Sequence, residues 1–217
     1  MTRVKICCIS SKGEADLAIA AGASALGLVA AMPSGPGTIS DEAIAAIAQH
    51  IPPGVSRFLL TARTQPEGVV AHVRATGVEV VQLVATVTPE VYRSLRGACP
   101  GVRIVQVIHV EDQRAVAEAR SVADHVDALL LDSGRPSAAI PELGGTGRQH
   151  DWSISREIVR ASRLPVWLAG GLTASNAADA IAAVRPFGLD LCSGVRTDGA
   201  LDPVRLDAFM AAVRQAA

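Results

Sequence analysis

Short apolar runs alternate along the chain with longer segments in which the apolar residues have helical spacing. The short runs predict eight strands, at Val4–Ile9, Ala25–Val29, Ser56–Leu60, Val80–Leu83, Arg103–Ile108, Ala128–Asp132, Pro165–Ala169 and Gly188–Cys192. The longer segments predict eight helices, at Gly13–Ala21, Asp41–His50, Pro66–Thr76, Pro89–Ala98, Asp112–Val122, Ser153–Ser162, Ser175–Val184 and Pro203–Gln215. Asp41 and Ser175 are the predicted N-terminal caps of two of these helices.

Strict alternation of strand and helix implies parallel strands joined by crossover helices. Eight such units in 217 residues predict an α/β fold, a single (β/α)8 TIM barrel that takes up residues 1–217 as one domain. A doubly wound open sheet has the same local pattern and is the competing fold. No GxGxxG follows the first strand, which disfavours the dinucleotide-binding form of that alternative.

Charge and composition argue against several classes of partner. The chain has 20 basic and 21 acidic residues, so we expect no binding to nucleic acid. We see no signal peptide and no apolar stretch near the roughly 20 residues of a membrane span, so we expect no membrane association. The four cysteines have no CxxC or Cys/His ligand spacing, which predicts free thiols, no metal and a cytoplasmic location.

The C-terminal ends of the strands are where an active site is expected in such a barrel. In the first strand, side-chain alternation puts Lys5, Cys7 and Ile9 on one face and Ile6 and Cys8 on the other. We predict that Lys5 and Cys7 point into the barrel, where the cation favours a Cys7 thiolate, and that Cys8 packs outward against helices. The alternative is that Cys7 is a small core residue.

Asp132 ends the apolar run DALLLD, where a buried carboxylate is costly unless it is paired or has a task. Desolvation would raise its pKa and allow it to act as a general acid. The alternative is a helix cap or a salt-bridged strand end. His109, at the end of the fifth strand, is interpreted as a structural histidine rather than a wall of the site.

Two glycine-containing turns follow the last two strands. Gly170 and Gly171 lie in LAGGLTASN, and Ser193 and Gly194 lie in CSGVRTDG. Loops after strands seven and eight of TIM barrels frequently hold phosphate, because backbone N–H groups can approach the anion closely at glycine. The two turns therefore predict a phosphate site.

These residues resemble the phosphoribosylanthranilate isomerase family. The resemblance rests on KIC, LLLD, GGTG followed by HDW, LAGGL and SGV, and it extends from Lys5 to Phe209. It implies an Amadori rearrangement of a phosphorylated aminoaldose to an aminoketose, without a cofactor, as in tryptophan biosynthesis. It also implies Cys7 as the general base and Asp132 as the general acid. The segment 144–147, which includes Gly145, resembles the family's mobile loop over the substrate.

Several positions depart from the family pattern. Cys8 replaces a glycine, and Val84 stands where the family has a histidine. Gly37 stands where an arginine is expected to bind the anthranilate carboxylate, so Gly37→Arg is predicted to restore that anchor. Arg63 and Arg196 are candidates to replace it, with solvated surface arginines as the alternative.

Three functions are consistent with this pattern. The first is the tryptophan-pathway isomerase, and the second is a related isomerase that acts on another N-linked sugar phosphate. The third is a non-catalytic phosphosugar-binding barrel, which the retained Cys7 and Asp132 disfavour. The protein is expected to be a monomer or a homodimer, and the sequence does not identify the amine half of the substrate.

Overall fold

Eight parallel strands close into a barrel in the computed structural model, which describes residues 2–135 and 149–216, and their order around the barrel is their order along the chain. The strands are β1 Arg3–Ile6, β2 Ala25–Val29, β3 Ser56–Thr61, β4 Val80–Leu83, β5 Arg103–His109, β6 Ala128–Asp132, β7 Val166–Leu168 and β8 Gly188–Leu191. The helices are α1 Lys12–Ala20, α2 Asp41–His50, α3 Pro66–Thr76, α4 Pro89–Ala98, α5 Arg114–Val122, α6 Trp152–Ala161, α7 Ala177–Val184 and α8 Pro203–Gln215. The predicted (β/α)8 barrel is thus confirmed.

The barrel closes where β1 pairs with β8, with Lys5 opposite Asp190 and Ile6 opposite Leu191. Between β8 and α8 the chain forms a short 3-10 turn, Ser193–Val195, and a small antiparallel hairpin, β9 Arg196–Thr197 and β10 Ala200–Leu201. This closure brings the C-terminal ends of the first and last strands together.

Alternate residues of the strands build two apolar layers. One face packs under the helices, as with Leu59 and Ile108, and belongs to the larger hydrophobic cluster. The other face fills the barrel, where the rings of Phe58 and Trp167 meet edge to face with centroids 6.0 Å apart. Both rings line a cavity with Arg3, Ser56 and Pro165, which lie at or directly before the N-terminal starts of their strands, so the opposite end of the barrel has room for a site.

Two predicted helix caps are wrong by one residue each. Ser40, not Asp41, caps α2, and its hydroxyl accepts a hydrogen bond from the Ala43 N–H at 3.2 Å. The α7 cap is Asn176 rather than Ser175. Within residues 2–135 and 149–216, no helix is both long enough and apolar enough to span a bilayer.

Candidate active site

A pocket opens at the C-terminal ends of the barrel strands, where the sequence predicts the site. Of the predicted residues, Cys7, Asp132, Gly170, Gly171 and Ser193 line it. Its apolar wall comes from the inner faces of the strands and includes Val29, Leu60, Val84, Val107 and Leu130. The pocket therefore has a hydrophobic wall and a small number of polar groups, which is the usual composition of a small-molecule site.

Cys7 follows β1 and points into the barrel, as predicted. Its backbone N–H donates to the Leu191 carbonyl at 2.9 Å, which extends the β1–β8 ladder by one residue. Gly27 makes room for the thiol, because a Cβ at that position would lie 2.9 Å from the Cys7 Sγ and 3.1 Å from the Lys5 Nζ. The glycine on β2 is therefore needed for both side chains to fit.

Lys5 also points inward but lies beneath the pocket, fully buried, and does not line it. Its Nζ donates to Asp190 Oδ1 at 2.9 Å. Burial alone would lower the pKa of Lys5, but Asp190 more than offsets this, and the pKa is raised above its usual value. The lysine is therefore a permanent cation that holds Asp190, and Asp190 is the member of this pair that reaches the pocket.

Cys8 does not pack outward, so that prediction is wrong. β1 ends at Ile6, and Cys8 has a φ of 63°, in the left-handed region that glycine favours. The strand alternation on which the prediction rested stops before Cys8, and the left-handed turn swings its side chain towards the pocket. The family glycine at this position is consistent with that backbone conformation.

Gly37 cannot accept the predicted arginine in the observed structure. Its φ is 74°, and a Cβ added there would lie 2.5 Å from the Cβ of Cys8. The Cys8 side chain therefore fills the space that a side chain at position 37 would need. The two departures from the family pattern, at positions 8 and 37, are in direct steric contact.

Asp132 ends β6 inside the pocket and is 9 % exposed. Burial raises the pKa of Asp132 above its ordinary range, and Asp190 adds to the shift, whereas the Ser133 N–H, His109 and Lys5 oppose it. A carboxyl group in this environment binds a proton more tightly than one in water, which is the property required of a general acid.

Cys192, directly after the C-terminal end of β8, lines the pocket but was not predicted as a site residue. A hydrogen bond from the Cys8 thiol, together with the nearby Arg196 guanidinium, lowers the pKa of Cys192 despite its burial. The same contact raises the pKa of Cys8. The signal in the sequence was its position at the end of the last strand, two residues beyond the inward Asp190.

Arg196 does not line the pocket and is not available as a carboxylate anchor. Its side chain is 8 % exposed and binds Glu14 through two nitrogens, with N–O distances of 2.8 and 3.0 Å. It also donates to the carbonyls of Cys8 and Gly199. Arg63, the other candidate, is 44 % exposed, pairs with Asp41 at 2.9 Å and does not line the pocket either.

The two glycine turns meet at one edge of the pocket. A Cβ at Gly194 would overlap the Leu172 carbonyl, so the turns after β7 and β8 are in contact. The Gly171 carbonyl faces away and accepts from Asn176 Nδ2 at 2.9 Å. The N–H groups of Gly170, Gly171, Ser193 and Gly194 donate to no acceptor in the described part of the chain. Gly145 and the segment 144–147 lie outside the described residues.

His109 has the structural role that the sequence favoured, since its Nε2–H donates to the Val84 carbonyl at 2.9 Å and it does not line the pocket. Gln82 was not singled out from the sequence, yet it lines the pocket. Asp190 was missed, although it is a carboxylate among leucines like Asp132.

No cluster of three or more His, Cys, Asp or Glu with metal-site geometry occurs in the described segments.

Comparison with known proteins gives one consistent result. Residues 4–212 match the family model for N-(5'phosphoribosyl)anthranilate (PRA) isomerase. The N-(5'-phosphoribosyl)anthranilate isomerase of Methanocella arvoryzae is 36% identical over 206 residues, 95% of this chain and 94% of the relative. The crystal structure of phosphoribosyl anthranilate isomerase from Thermus thermophilus is 30% identical, with a TM-score of 0.82 and 99% coverage of both chains.

A further solved structure is similar and contains a ligand. It is a phosphoribosyl anthranilate isomerase in complex with reduced 1-(o-carboxyphenylamino)-1-deoxyribulose 5-phosphate. It is 26% identical to this chain, has a TM-score of 0.79 and covers 99% of this chain and 100% of its own.

Proposed function

Because the chain belongs to the N-(5'-phosphoribosyl)anthranilate isomerase family, we propose that it converts phosphoribosylanthranilate to the corresponding aminoketose by an Amadori rearrangement. This is an aldose–ketose isomerisation within tryptophan biosynthesis. The observation that carries the proposal is the pairing, in one pocket, of a buried carboxyl group with a raised pKa, Asp132, and the thiol of Cys7.

Asp132 is the proposed general acid. Its proton is transferred to the ring oxygen of the aminosugar, and the furanose ring opens as the carbon–oxygen bond breaks. The raised pKa supports this role, since it increases the fraction of the carboxyl group that carries a proton at neutral pH.

Cys7 is the proposed general base. As a thiolate it removes the proton at C2′, and the resulting enolamine tautomerises to the ketone. Lys5 contributes a permanent positive charge beneath the pocket, and its burial with Asp190 keeps that charge fixed in place. No external oxidant or reductant is required, because C2′ is oxidised and C1′ is reduced within the same substrate molecule.

The phosphate of the substrate is proposed to bind at the turns Gly170–Gly171 and Ser193–Gly194. The four N–H groups without an acceptor in the described part of the chain, and the contact between the two turns, support this placement. A structure determined with sulfate or phosphate should contain the anion between these turns, whereas an empty cleft at high sulfate would argue against it.

A related isomerase that acts on another N-linked sugar phosphate is the second candidate. The observation that favours it is the pocket lining, which contains no arginine or lysine within residues 2–135 and 149–216. Loss of a charged anchor for a carboxylate typically costs about 1.5–3 kcal/mol in binding. Assays with phosphoribosylanthranilate and with a phosphoribosylamine that lacks the carboxylate distinguish the two candidates.

The decisive test of the mechanism is Asp132→Asn. Because an amide cannot protonate the ring oxygen, we expect kcat to fall by roughly 10²-fold or more with little change in KM. The rearrangement is followed by the fluorescence change of the anthranilate conjugate, with the exposed Asp112→Asn as the control. Full activity of Asp132→Asn on its substrate would disprove the acid assignment.

We also propose a cytoplasmic location and a monomeric or homodimeric state. Four free cysteines support the location, since free thiols persist in a reducing compartment. One of the similar solved structures is of monomers generated from the dimeric phosphoribosylanthranilate isomerase of Thermotoga maritima. Sedimentation of the purified protein tests the oligomeric state.

A further inference from the structure

Three of the four cysteines of the chain converge on one pocket. β1 and β8 are neighbours with Ile6 opposite Leu191, so the residues that follow them, Cys7 and Cys192, end adjacent strands. Cys8 joins them through its left-handed backbone, and all three line the pocket. The fourth, Cys99, is buried at the end of α4 and lies outside this pocket.

Cys8 and Cys192 both line the pocket, where hydrogen bonding between their thiols raises the pKa of Cys8 and lowers the pKa of Cys192. Adjacent parallel strands are about 4.8 Å apart, and cysteines can be bridged when their Cα atoms are about 4.4–6.8 Å apart. This spacing applies to Cys7 and Cys192, which extend the Ile6–Leu191 register by one residue. Cys8 follows Cys7 directly, and its left-handed backbone turns its side chain towards the same pocket.

The surroundings of Cys192 are those of a reactive thiol. It is only partly buried, it opens to the pocket, and Arg196 lies close to it. A partly exposed thiol next to a cation is more often ionised, and the thiolate is the form that oxidants attack. Cys8, by contrast, is 4 % exposed and holds its proton, so it is placed as the second thiol to react.

We propose that Cys192 and Cys8 are an oxidisable pair, which hydrogen peroxide converts to a disulfide across the pocket. The Cys192 thiolate attacks one peroxide oxygen, the O–O bond breaks, and a sulfenic acid and hydroxide form. The Cys8 sulfur then attacks the Cys192 sulfur, the S–O bond breaks, and the oxygen leaves as water with the Cys8 proton. Peroxide is reduced to two waters, and the two thiols are oxidised to one disulfide.

This modification goes beyond the proposed isomerase activity, but it alters the same pocket. The disulfide would fix the ends of β1 and β8 beside Cys7 and the Ser193–Gly194 turn. We expect peroxide to inactivate the protein and dithiothreitol to restore activity, because a disulfide is reversible and higher oxides of cysteine are not.

The test uses the reduced full chain, treated with a small excess of hydrogen peroxide and then alkylated with N-ethylmaleimide. Intact mass should decrease by two hydrogen atoms before alkylation, and a non-reducing tryptic digest should join the peptides 6–12 and 164–196. The link should persist in Cys7→Ser and in the control Cys99→Ser. It should disappear in Cys8→Gly, a variant in which glycine suits the positive φ and the fold is retained.

Rates identify the thiol that reacts first. Cys192→Ser should lose reduced thiol to peroxide on the order of tenfold more slowly than the unmodified chain, because the partly exposed thiol beside Arg196 is absent. The proposal is wrong if the link persists in Cys8→Gly, if it is lost in Cys7→Ser, or if Cys192 proceeds to sulfinic acid without a link. The mass readout needs no substrate, so its outcome is independent of the proposed function.

Discussion

Gln82 is the residue whose bonding in the pocket is least complete. It lies on β4, is 3 % exposed, and its Oε1 has no hydrogen-bond partner among the described residues. A buried polar group without a partner costs about 1–3 kcal/mol. Since the amide lines the pocket, a hydroxyl or amine N–H of a bound aminosugar is the natural donor to this oxygen.

We therefore expect Gln82→Leu to reduce kcat/KM by roughly tenfold while leaving the free energy of unfolding unchanged or higher. Gln106→Leu is the matched control on the next strand, since its Nε2 donates to three carbonyls and its Oε1 accepts from the Tyr92 hydroxyl at 2.8 Å. That variant should lose about 1–3 kcal/mol of stability instead. Steady-state kinetics and urea unfolding of both variants test the contrast, and equal stability losses would contradict it.

Cys8 and Gly37 must be exchanged together if the family arginine is to be restored. Gly37→Arg alone should be strongly destabilised, because its Cβ would meet Cys8 at 2.5 Å and its φ is 74°. Cys8→Gly removes the 2.5 Å contact and leaves a tight 3.1 Å approach to the Cα of residue 8. The double variant should therefore be more stable than the sum of the two single changes by about 1–3 kcal/mol. Denaturant unfolding of the three variants measures this coupling, and additive effects would show that the two positions are independent.

At the scale of elements, the periodicity of apolar residues was sufficient to predict the strands and helices of the barrel, but it did not predict where every strand ends. The predicted bounds of β2, β4, β6 and four helices agree with the structure, because short apolar runs flanked by turn residues leave few alternatives. The predicted first strand, in contrast, extended to Ile9, three residues too far. Alternation carried past that end assigned Cys8 to the wrong face.

The candidate site was predictable where one strand end carries one reactive group, as at Cys7 and Asp132. It was not predictable where the outcome depends on a partner from another strand. Nothing local in GLDLC indicates that Lys5 would pair with Asp190 or that Cys192 would meet Cys8. Arg196 was assigned to the substrate for the same reason, since its partner Glu14 is far away in sequence.

Glu14 ties the start of α1 to the hairpin after β8, and its loss should be costly. It accepts from Arg196, from the Leu201 N–H at 2.9 Å and from the Ser10 N–H at 2.9 Å. Burial disfavours its charge, but the Arg196 hydrogen bonds prevail and lower the pKa of Glu14 to about 2. A carboxylate with a depressed pKa stabilises the fold above its usual value near 4.5, and that contribution is lost as pH falls towards 2.

We expect Glu14→Gln to reduce the free energy of unfolding at pH 7 by about 2–4 kcal/mol, because the largely buried Arg196 charge loses its partner. Arg114→Gln, which breaks an exposed pair with Asp112, should change it by less than about 1 kcal/mol. Urea unfolding at pH 7 compares the two. A loss of the same small size in both would mean that the buried pair does not stabilise the junction.

At the scale of the whole molecule, buried polar groups join parts of the chain that are distant in sequence. The Lys5–Asp190 pair joins the first and last strands of the barrel. On the helical layer, His72 bridges Thr61 on β3, at 3.1 Å, and Asp41 on α2, at 3.0 Å. These contacts fix the pairing of β1 with β8 and the position of α2 and α3 against the barrel. Apolar packing alone defines both less closely.

Two histidines, the buried His72 and the partly buried His150, make the stability of the whole fold sensitive to mild acid. Burial lowers the pKa of His72, and it lowers the pKa of His150 to about 4. The Nε2 of His150 lies 2.6 Å from the Ser155 hydroxyl. Both rings bind a proton less readily in the fold than in the unfolded chain, where they titrate near pH 6.5, so their contribution to stability is present above pH 6.5 and declines below it. Asp132, with its raised pKa, acts in the opposite direction at lower pH.

His150→Gln should therefore flatten the decline in stability between pH 7 and pH 5. With partial solvent screening of the ring taken into account, the stability difference between wild type and variant should change by about 1 kcal/mol over that interval. His50→Gln, at the exposed end of α2, is the control and should leave the decline in place. Urea unfolding at both pH values provides the comparison. A decline of equal slope in wild type and His150→Gln would mean that this histidine does not couple protonation to folding, and His72 would then carry the effect alone.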